Sequence, residues 1–276
     1  MASQPARVNV LGVGVSAITM EMALAQLDTW IANREQQYVC VTGVHGVMES
    51  QRDPALRSIL CRSGLTTPDG MPLVWLSKLH GFRHVERVYG PDLLLAACER
   101  SVGKGYRHFL YGGDDALVEG LAEKLRQHYP GIAIVGTYAP PFRPLTPDED
   151  ADVTRRINEA DADIVWVGLS TPKQERWMAE HHTRISAPVM IGVGAAFDFG
   201  AGRKRQAPRW MQRCGLEWFF RLVQEPRRLW RRYVINNPRF VGLVLLQALH
   251  LRRWTLPDTC DEPARYNERE PMRKSA

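Results

Sequence analysis

Six short stretches of the 276-residue chain carry side chains that can do chemistry. The first is "TTPDGMPLVW" (66–75), where a strand runs into a loop that presents Asp69 beside Gly70. A carboxylate at a strand end can act as a general base and deprotonate an acceptor hydroxyl. Pro-Asp-Gly is also an ordinary turn, and the local residues alone favour that plainer role. The second is Thr42 with His45 in "VTGVHGV", a hydroxyl and an imidazole on what reads as a glycine-rich loop that binds phosphate or sugar. A loop threonine and a surface histidine fit the same letters.

In "ERVYGPDLL" (86–94), the planar fork of Arg87 suits a pyrophosphate, while Asp92 reads as a helix cap. The stretch "VGLSTPKQERWM" (167–178) has a strand, a small-residue loop and a helix start, so its backbone N–H groups attract anions. Gln174 lies there, able to bond a base or a sugar or to stand solvated. In "GVGAAFDFGAG" (192–202), a lone GxG follows a strand, and Asp198 can accept from a ribose or sugar hydroxyl or order the loop. No full GxGxxG accompanies it, which weakens a dinucleotide reading. Last, Arg221, Arg228 and Arg231 are spaced by seven and three, which predicts one helical face able to hold a diphosphate or lipid headgroups. A solvated charged face is the bland alternative.

No DxD-like pair at a strand end reads as a metal site. Asp114-Asp115 follows "YGG" and reads as a helix N-terminus, and His181-His182 lacks matching ligands. Any departing diphosphate is therefore expected to be neutralised by arginines and backbone amides, with no metal and no cofactor.

These groups need a scaffold. Continuously apolar runs such as "YVCVT", "ADIVWVGLS" and "PVMIGVG" alternate with amphipathic stretches such as "ALVEGLAEKLRQHYPG". That alternation predicts an α/β fold: a Rossmann-like, doubly wound, mostly parallel sheet covered on both faces, with ligands at the C-terminal strand ends. Residues 8–18 read as a strand pair turning near Gly12 and Gly14, and a helix is expected over about 20–32. The division is a core over 1–201, a basic amphipathic C-terminal appendage over 202–255 and a flexible tail over 256–276.

The formal charge of +6 is unevenly spread. Residues 201–255 hold thirteen Lys or Arg against two acids, Glu217 and Glu225, and four of the eight tryptophans. A basic aromatic segment on a mildly acidic body points to an anionic surface as partner. The apolar stretch "VGLVLLQALHL" (241–251) is too short for a spanning helix, which needs about 20 residues, so helices lying on a bilayer are expected. No signal peptide is apparent, and a cytoplasmic chain bound peripherally to the inner face of the cell membrane is expected. The five dispersed cysteines argue against a disulfide framework and read as small buried hydrophobes.

Taken together, "TPDGMPLVW", "RVYGPDLL", "YPGIAIVGTY", "ADIVWVGLSTPKQERWM" and "GVGAAFDFGAGRKRQAPRWMQRCGLEWFFRLVQEPRRLWRRY" resemble the WecG/TagA/CpsF glycosyltransferases (family 26). The likeness runs in order from about residue 8 to residue 235, and the last two blocks are long and distinctive. It implies an inverting transferase that moves a sugar from a UDP-sugar to a polyprenyl-diphosphate-linked saccharide for wall teichoic acid, enterobacterial common antigen or exopolysaccharide. It further implies Asp69 as base, and Thr42, Arg87, Gln174 and Asp198 as substrate contacts. The appendage arginines implied are Arg221, Arg228 and Arg231, and no DxD-bound metal is implied. One departure is Val44, followed by His45, where many members carry Asn two positions after the loop threonine. It leads us to expect a plain hexose or uronic acid donor. Two other classes fit parts of the sequence, a basic nucleic-acid-binding protein and a nicotinamide-dependent oxidoreductase. Neither has its full motif here.

Overall fold

The computed structural model describes residues 5–257 and residue 260. Strands β1 (Arg7–Val10) and β2 (Val13–Ser16) form an antiparallel hairpin whose turn falls at Leu11 and Gly12, both at positive φ. Helix α1 (Met20–Asn33) follows, capped by the Thr19 side chain. The main sheet is six-stranded and wholly parallel, in the order β4-β3-β8-β7-β5-β6. Its strands are β3 (Gln37–Thr42), β4 (Leu65–Pro68), β5 (Arg107–Gly112), β6 (Ala133–Tyr138), β7 (Ile164–Gly168) and β8 (Val189–Gly192). The sequence expectation of a parallel sheet flanked by helices holds.

The reason is visible in the strand residues. Tyr38, Cys40, Phe109, Tyr111, Val165 and Val167 point into one core; Val39, Val41, Leu110, Ile164 and Trp166 point into the other. Alternate residues face opposite sides of a strand, and both sides are apolar, so the runs read as unbroken hydrophobic stretches. The first core also takes α3 (Pro54–Arg62) and the hairpin; the second takes α1, α5 (Gly90–Lys104) and α6 (Asp115–His128). The Asp114 side chain accepts from the Leu117 N–H at 2.9 Å and caps α6, as its sequence context predicts.

Several boundaries differ from expectation. The glycine-rich loop after β3 shrinks to Gly43, because α2 (Val44–Ser50) starts at once. The stretch after Asp69 is helix α4 (Met71–Leu79), with Pro72 in its first turn, instead of continued loop. Beyond β8 a short helix α9 (Ala196–Gly200) replaces the expected glycine loop.

The C-terminal segment is α10 (Arg209–Arg213), α11 (Glu217–Gln224), α12 (Pro226–Trp230), a π-helical turn (Arg231–Ile235) and α13 (Asn236–Ala248). It folds back over the body. Phe240 enters the first core, Gln247 bonds the backbone of Asn9 and Leu11, and Trp254 Nε1 donates to Gln51 at 2.9 Å. Gly215, at φ 70°, lies so close to α4 that a Cβ there would meet Trp75 at 2.8 Å. No helix among the described residues is long and apolar enough to cross a membrane.

The cysteine expectation fails in two places: Cys61 and Cys260 are joined as a disulfide across 199 residues of sequence, and Cys214 is exposed. A separation of that size leaves no spacing signal for pairing. The tail expected over 256–276 lies outside the described residues except for 256, 257 and Cys260.

Candidate active site

The C-terminal ends of β3, β4, β7 and β8 open onto a cleft of about 770 Å³, roofed by the C-terminal segment. Asp69 stands where β4 ends. Its backbone N–H donates to the Thr42 carbonyl at 3.0 Å, fixing the β4 loop against β3. Its Oδ1 accepts the Gly90 N–H at 3.3 Å. Its Oδ2 faces Gly43, where a Cβ would stand 3.5 Å away, so this side of the carboxylate opens onto the cleft. Burial pushes the Asp69 carboxyl above the ordinary carboxylate range; Glu217 adds in the same direction, while Arg87 and the Gly90 N–H pull it down. A carboxylate raised in this way takes up a proton more readily than an exposed one, as a general base must.

Arg87 lines the same cleft, but its fork is already engaged. Nη2 donates to Glu217 Oε2 at 2.6 Å, Nε donates to the Asp69 carbonyl, and Nη1 reaches Gln212 Oε1 at 3.5 Å. Its guanidinium also stacks 3.9 Å from the centre of the Tyr89 ring. The Tyr89 hydroxyl donates to the other oxygen of Glu217 at 2.9 Å.

The C-terminal segment contributes a cationic row of Arg221, Arg228 and Arg232. Arg231, expected at a diphosphate or at lipid headgroups, does not line the cleft: it is exposed and turned over Trp230, 5.4 Å from the ring centre. The sequence reading assumed one continuous α-helix. Instead Glu225–Pro226 breaks it, and the π-helical turn adds residues per turn, so the cleft-facing position slips by one to Arg232. Arg221 lies 5.8 Å over the Phe199 ring and, among the described residues, meets no hydrogen-bond or ion-pair acceptor. Arg232 Nε is buried without a partner among the described residues. Burial pulls the Arg232 guanidinium below its usual value; Tyr233 and Asp69 oppose that, and Arg221 and Arg228 reinforce it. Half-buried guanidinium groups that line a cleft without a full set of protein acceptors can take up an anion there.

Gln174, in the first turn of α8 (Lys173–His181), is buried and lines the cleft. Its Nε2 donates to Glu175 Oε1 at 3.2 Å, which leaves its Oε1 unpartnered. Glu175 is held by the Thr171 hydroxyl at 2.8 Å, and burial raises its carboxyl above the ordinary range. His45, in the first turn of α2, also lines the cleft. Burial among Arg232, Arg52 and Arg221 drives its imidazole down to about 3, so it is neutral there. Val44 lies beside it on the cleft wall.

Two expected contacts are not brought to the cleft. The Thr42 side chain is buried beneath it, its hydroxyl donating to the Cys40 carbonyl at 3.3 Å. Asp198 faces Lys204 at 3.6 Å, in a chain of charges that continues to Glu225 at 3.2 Å and then to Arg228. This contact fits the plainer of its two readings, ordering the loop that leads into the C-terminal segment. The sequence reading missed Arg232, Glu217 and Tyr89. Glu217 had a signal: it is one of only two acids in a segment of thirteen cations.

Among the described residues, no group of three or more His, Cys, Asp or Glu side chains is placed to hold a metal ion. His181 instead meets Asp150 at 2.7 Å.

The mouth of the cleft is apolar. Trp75, Leu76 and Leu79 of α4 face Val241, Val244 and Leu245 of α13 across it. Exposure of Leu79 is 81%, and that of both Val241 and Leu245 is 56%, so this rim is open to its surroundings.

Comparison with known proteins fits this arrangement. The chain is 33% identical over 187 residues to the N-acetylglucosaminyldiphosphoundecaprenol N-acetyl-beta-D-mannosaminyltransferase of Bacillus subtilis (strain 168), covering 68% of this chain and 70% of that one. It is 28% identical over 217 residues to the enzyme of the same name from Bacillus spizizenii, covering 79% and 82%. To that of Staphylococcus aureus (strain MW2) it is 26% identical over 231 residues, covering 83% and 89%. A family model described as the glycosyl transferase WecG/TagA/CpsF family matches residues 8–254, nearly the whole described structure. The chain therefore belongs to the WecG/TagA/CpsF family and is a glycosyltransferase.

Proposed function

We propose that the chain transfers a hexose-type sugar, with inversion, from a UDP-sugar to a saccharide carried on a polyprenyl diphosphate, in bacterial exopolysaccharide or cell-envelope glycan assembly. The observation that carries this reading is one cleft with a half-engaged carboxylate, an arginine row in which Arg228 is paired to Glu225 while Arg232 Nε has no partner among the described residues, and an apolar mouth. The names of the relatives describe a mannosaminyl transfer onto an undecaprenyl-diphosphate acceptor, and they favour the transferase over a nucleic-acid-binding protein or an oxidoreductase.

In this reading Asp69 Oδ2 takes the proton of the acceptor hydroxyl. That oxygen attacks the anomeric carbon from the face opposite the nucleotide. The bond from carbon to the β-phosphate oxygen breaks, and UDP departs with the electron pair. Arg221, Arg228 and Arg232 take up the developing charge, with no metal invoked. Arg87 is occupied by Glu217, so its part is to hold the base, not to grip the diphosphate alone. Gln174 offers its carbonyl oxygen to a donor group on the nucleotide or sugar. Val44 and the neutral His45 shape the sugar's side of the cleft, and Val44 replaces an amide that many members have there. This supports a donor whose 2-substituent differs from the relatives' N-acetyl group.

The apolar rim is where the first isoprene units of the acceptor would leave the cleft. Exposed Trp210, Phe219, Val223, Trp230 and Val234 lie with exposed arginines in the same segment, which supports peripheral binding at the inner face of the membrane.

Replacing Asp69 by Asn tests the chemistry. Transfer from a UDP-sugar to a short-chain lipid-diphosphate acceptor should fall by about 10²–10⁴-fold, the usual contribution of a general base, with UDP binding retained. Near-normal turnover in Asp69→Asn would remove Asp69 from the role.

A further inference from the structure

Glu217 stands out among the side chains that the mechanism above leaves unused. It is the first residue of α11, its side chain is only 12% exposed, and it meets the core at two points. Arg87 donates to one oxygen at 2.6 Å and Tyr89 to the other at 2.9 Å. Both of its oxygens are therefore taken, which leaves it no role as a base. Arg87 in turn donates through Nε to the carbonyl of Asp69. A continuous path runs from a carboxylate of the C-terminal segment, through one guanidinium, to the backbone of the catalytic candidate. Four residues further along α11, one turn away, stands Arg221 in the cleft.

We propose that Glu217 is a positioning residue that pins the C-terminal segment to the core, seating the arginine row opposite Asp69 and placing one negative charge among the cations around it. The proposal rests on the reading of Asp69 as the base. Charged groups acting on Asp69 come from every element around it: Arg87 from the loop before α5, Glu217 and Arg221 from α11, and Arg232 from the π-helical turn. Of these, Glu217 is the one anion. It holds Arg87 in place and offsets part of the field of three cations. Without it, the carboxylate would sit among uncompensated arginines and become a weaker base. An autonomous core would have no use for this arrangement; a core completed by its C-terminal segment needs it, because base and diphosphate-holding groups lie on different parts of the chain.

The test uses the full chain carrying Glu217→Gln, which keeps the shape and a carbonyl acceptor for Tyr89, and Glu217→Asp, which keeps the charge. The carboxyl carbon of Asp69, assigned by comparison with Asp69→Asn, is followed by NMR as pH is varied. In Glu217→Gln its titration should move to lower pH, and in Glu217→Asp it should stay near the wild-type position. Turnover with UDP-N-acetylmannosamine or UDP-glucose and a short-chain lipid-diphosphate acceptor should drop roughly tenfold in Glu217→Gln, the loss of one charge-assisted hydrogen bond, with its acid limb displaced to lower pH. Partial recovery is expected in Glu217→Asp. An unmoved Asp69 titration in a folded Glu217→Gln chain overturns the proposal, whatever the sugar donor. Should Glu217→Gln not fold, an Asp69 titration in Glu217→Asp displaced as far as that of Asp69 in a Tyr89→Phe chain would overturn it instead, since charge would then not matter. Full turnover in Asp69→Asn would refute the base assignment separately, leaving the NMR result to judge Glu217 as an electrostatic pin alone.

Discussion

Arg232 offers a prediction in which stability and binding move in opposite directions. Its Nε is buried without a partner among the described residues, and Arg221 and Arg228 share the cleft with it. In the unliganded chain this guanidinium is a liability: a buried unsatisfied donor costs about 1–3 kcal/mol, and more when charged. Its stem nonetheless packs like an aliphatic chain. Arg232→Met keeps that stem and deletes the unpaired head. The free protein should gain about 1–2 kcal/mol, which for a chain of this size raises Tm by roughly 2–8 °C. The same substitution removes a charge-assisted contact to a diphosphate, worth about 1.5–3 kcal/mol, so UDP should bind roughly ten- to a hundredfold more weakly. Thermal unfolding followed by tryptophan fluorescence, with and without UDP, reads both effects in one experiment. A lower Tm without UDP, together with an undiminished rise on adding it, would refute the reasoning: Arg232 would then be paired in the free protein and remote from the diphosphate.

Two further outcomes follow from the same charges. His45 is held neutral, with its imidazole lowered to about 3, and burial lowers His108 to about 4. The unfolded chain binds those protons more readily, so stability should be full above about pH 6.5 and fall as pH drops from there toward 4; an equilibrium urea series across that range checks it, and His45→Asn should flatten the decline. Replacing the exposed Arg227, Arg231 and Arg239 together by Gln should weaken binding to phosphatidylglycerol vesicles by about 3 kcal/mol, at about 1 kcal/mol per charge, measured by sedimentation at low salt. Unchanged partition would place the membrane contact elsewhere.

The sheet was legible because both faces of every central strand are apolar. Val39 and Cys40, or Val165 and Trp166, are adjacent in sequence yet belong to different cores, and that produces the unbroken runs. Asp69 was legible as a strand-end carboxylate, and Gln174 as a first-turn side chain at another strand end. Strand ends on one edge of a parallel sheet necessarily meet. Thr42 was misplaced because a one-residue change of facing at the end of β3 turns a side chain from the cleft to the interior.

Composition and local periodicity determined the layers, the basic segment and the family blocks, since each depends on residues within a few turns of one another. Which arginine enters the cleft depended on a break at Pro226 and a π-helical turn, and these shift helical phase in a way no fixed spacing encodes. The pairing of Cys61 with Cys260 and the clasp of Glu217 on Arg87 and Tyr89 join residues more than a hundred positions apart. Only the folded chain could bring these together, because the docking of the C-terminal helices on the sheet is decided by burial over the whole surface and not by any local signal.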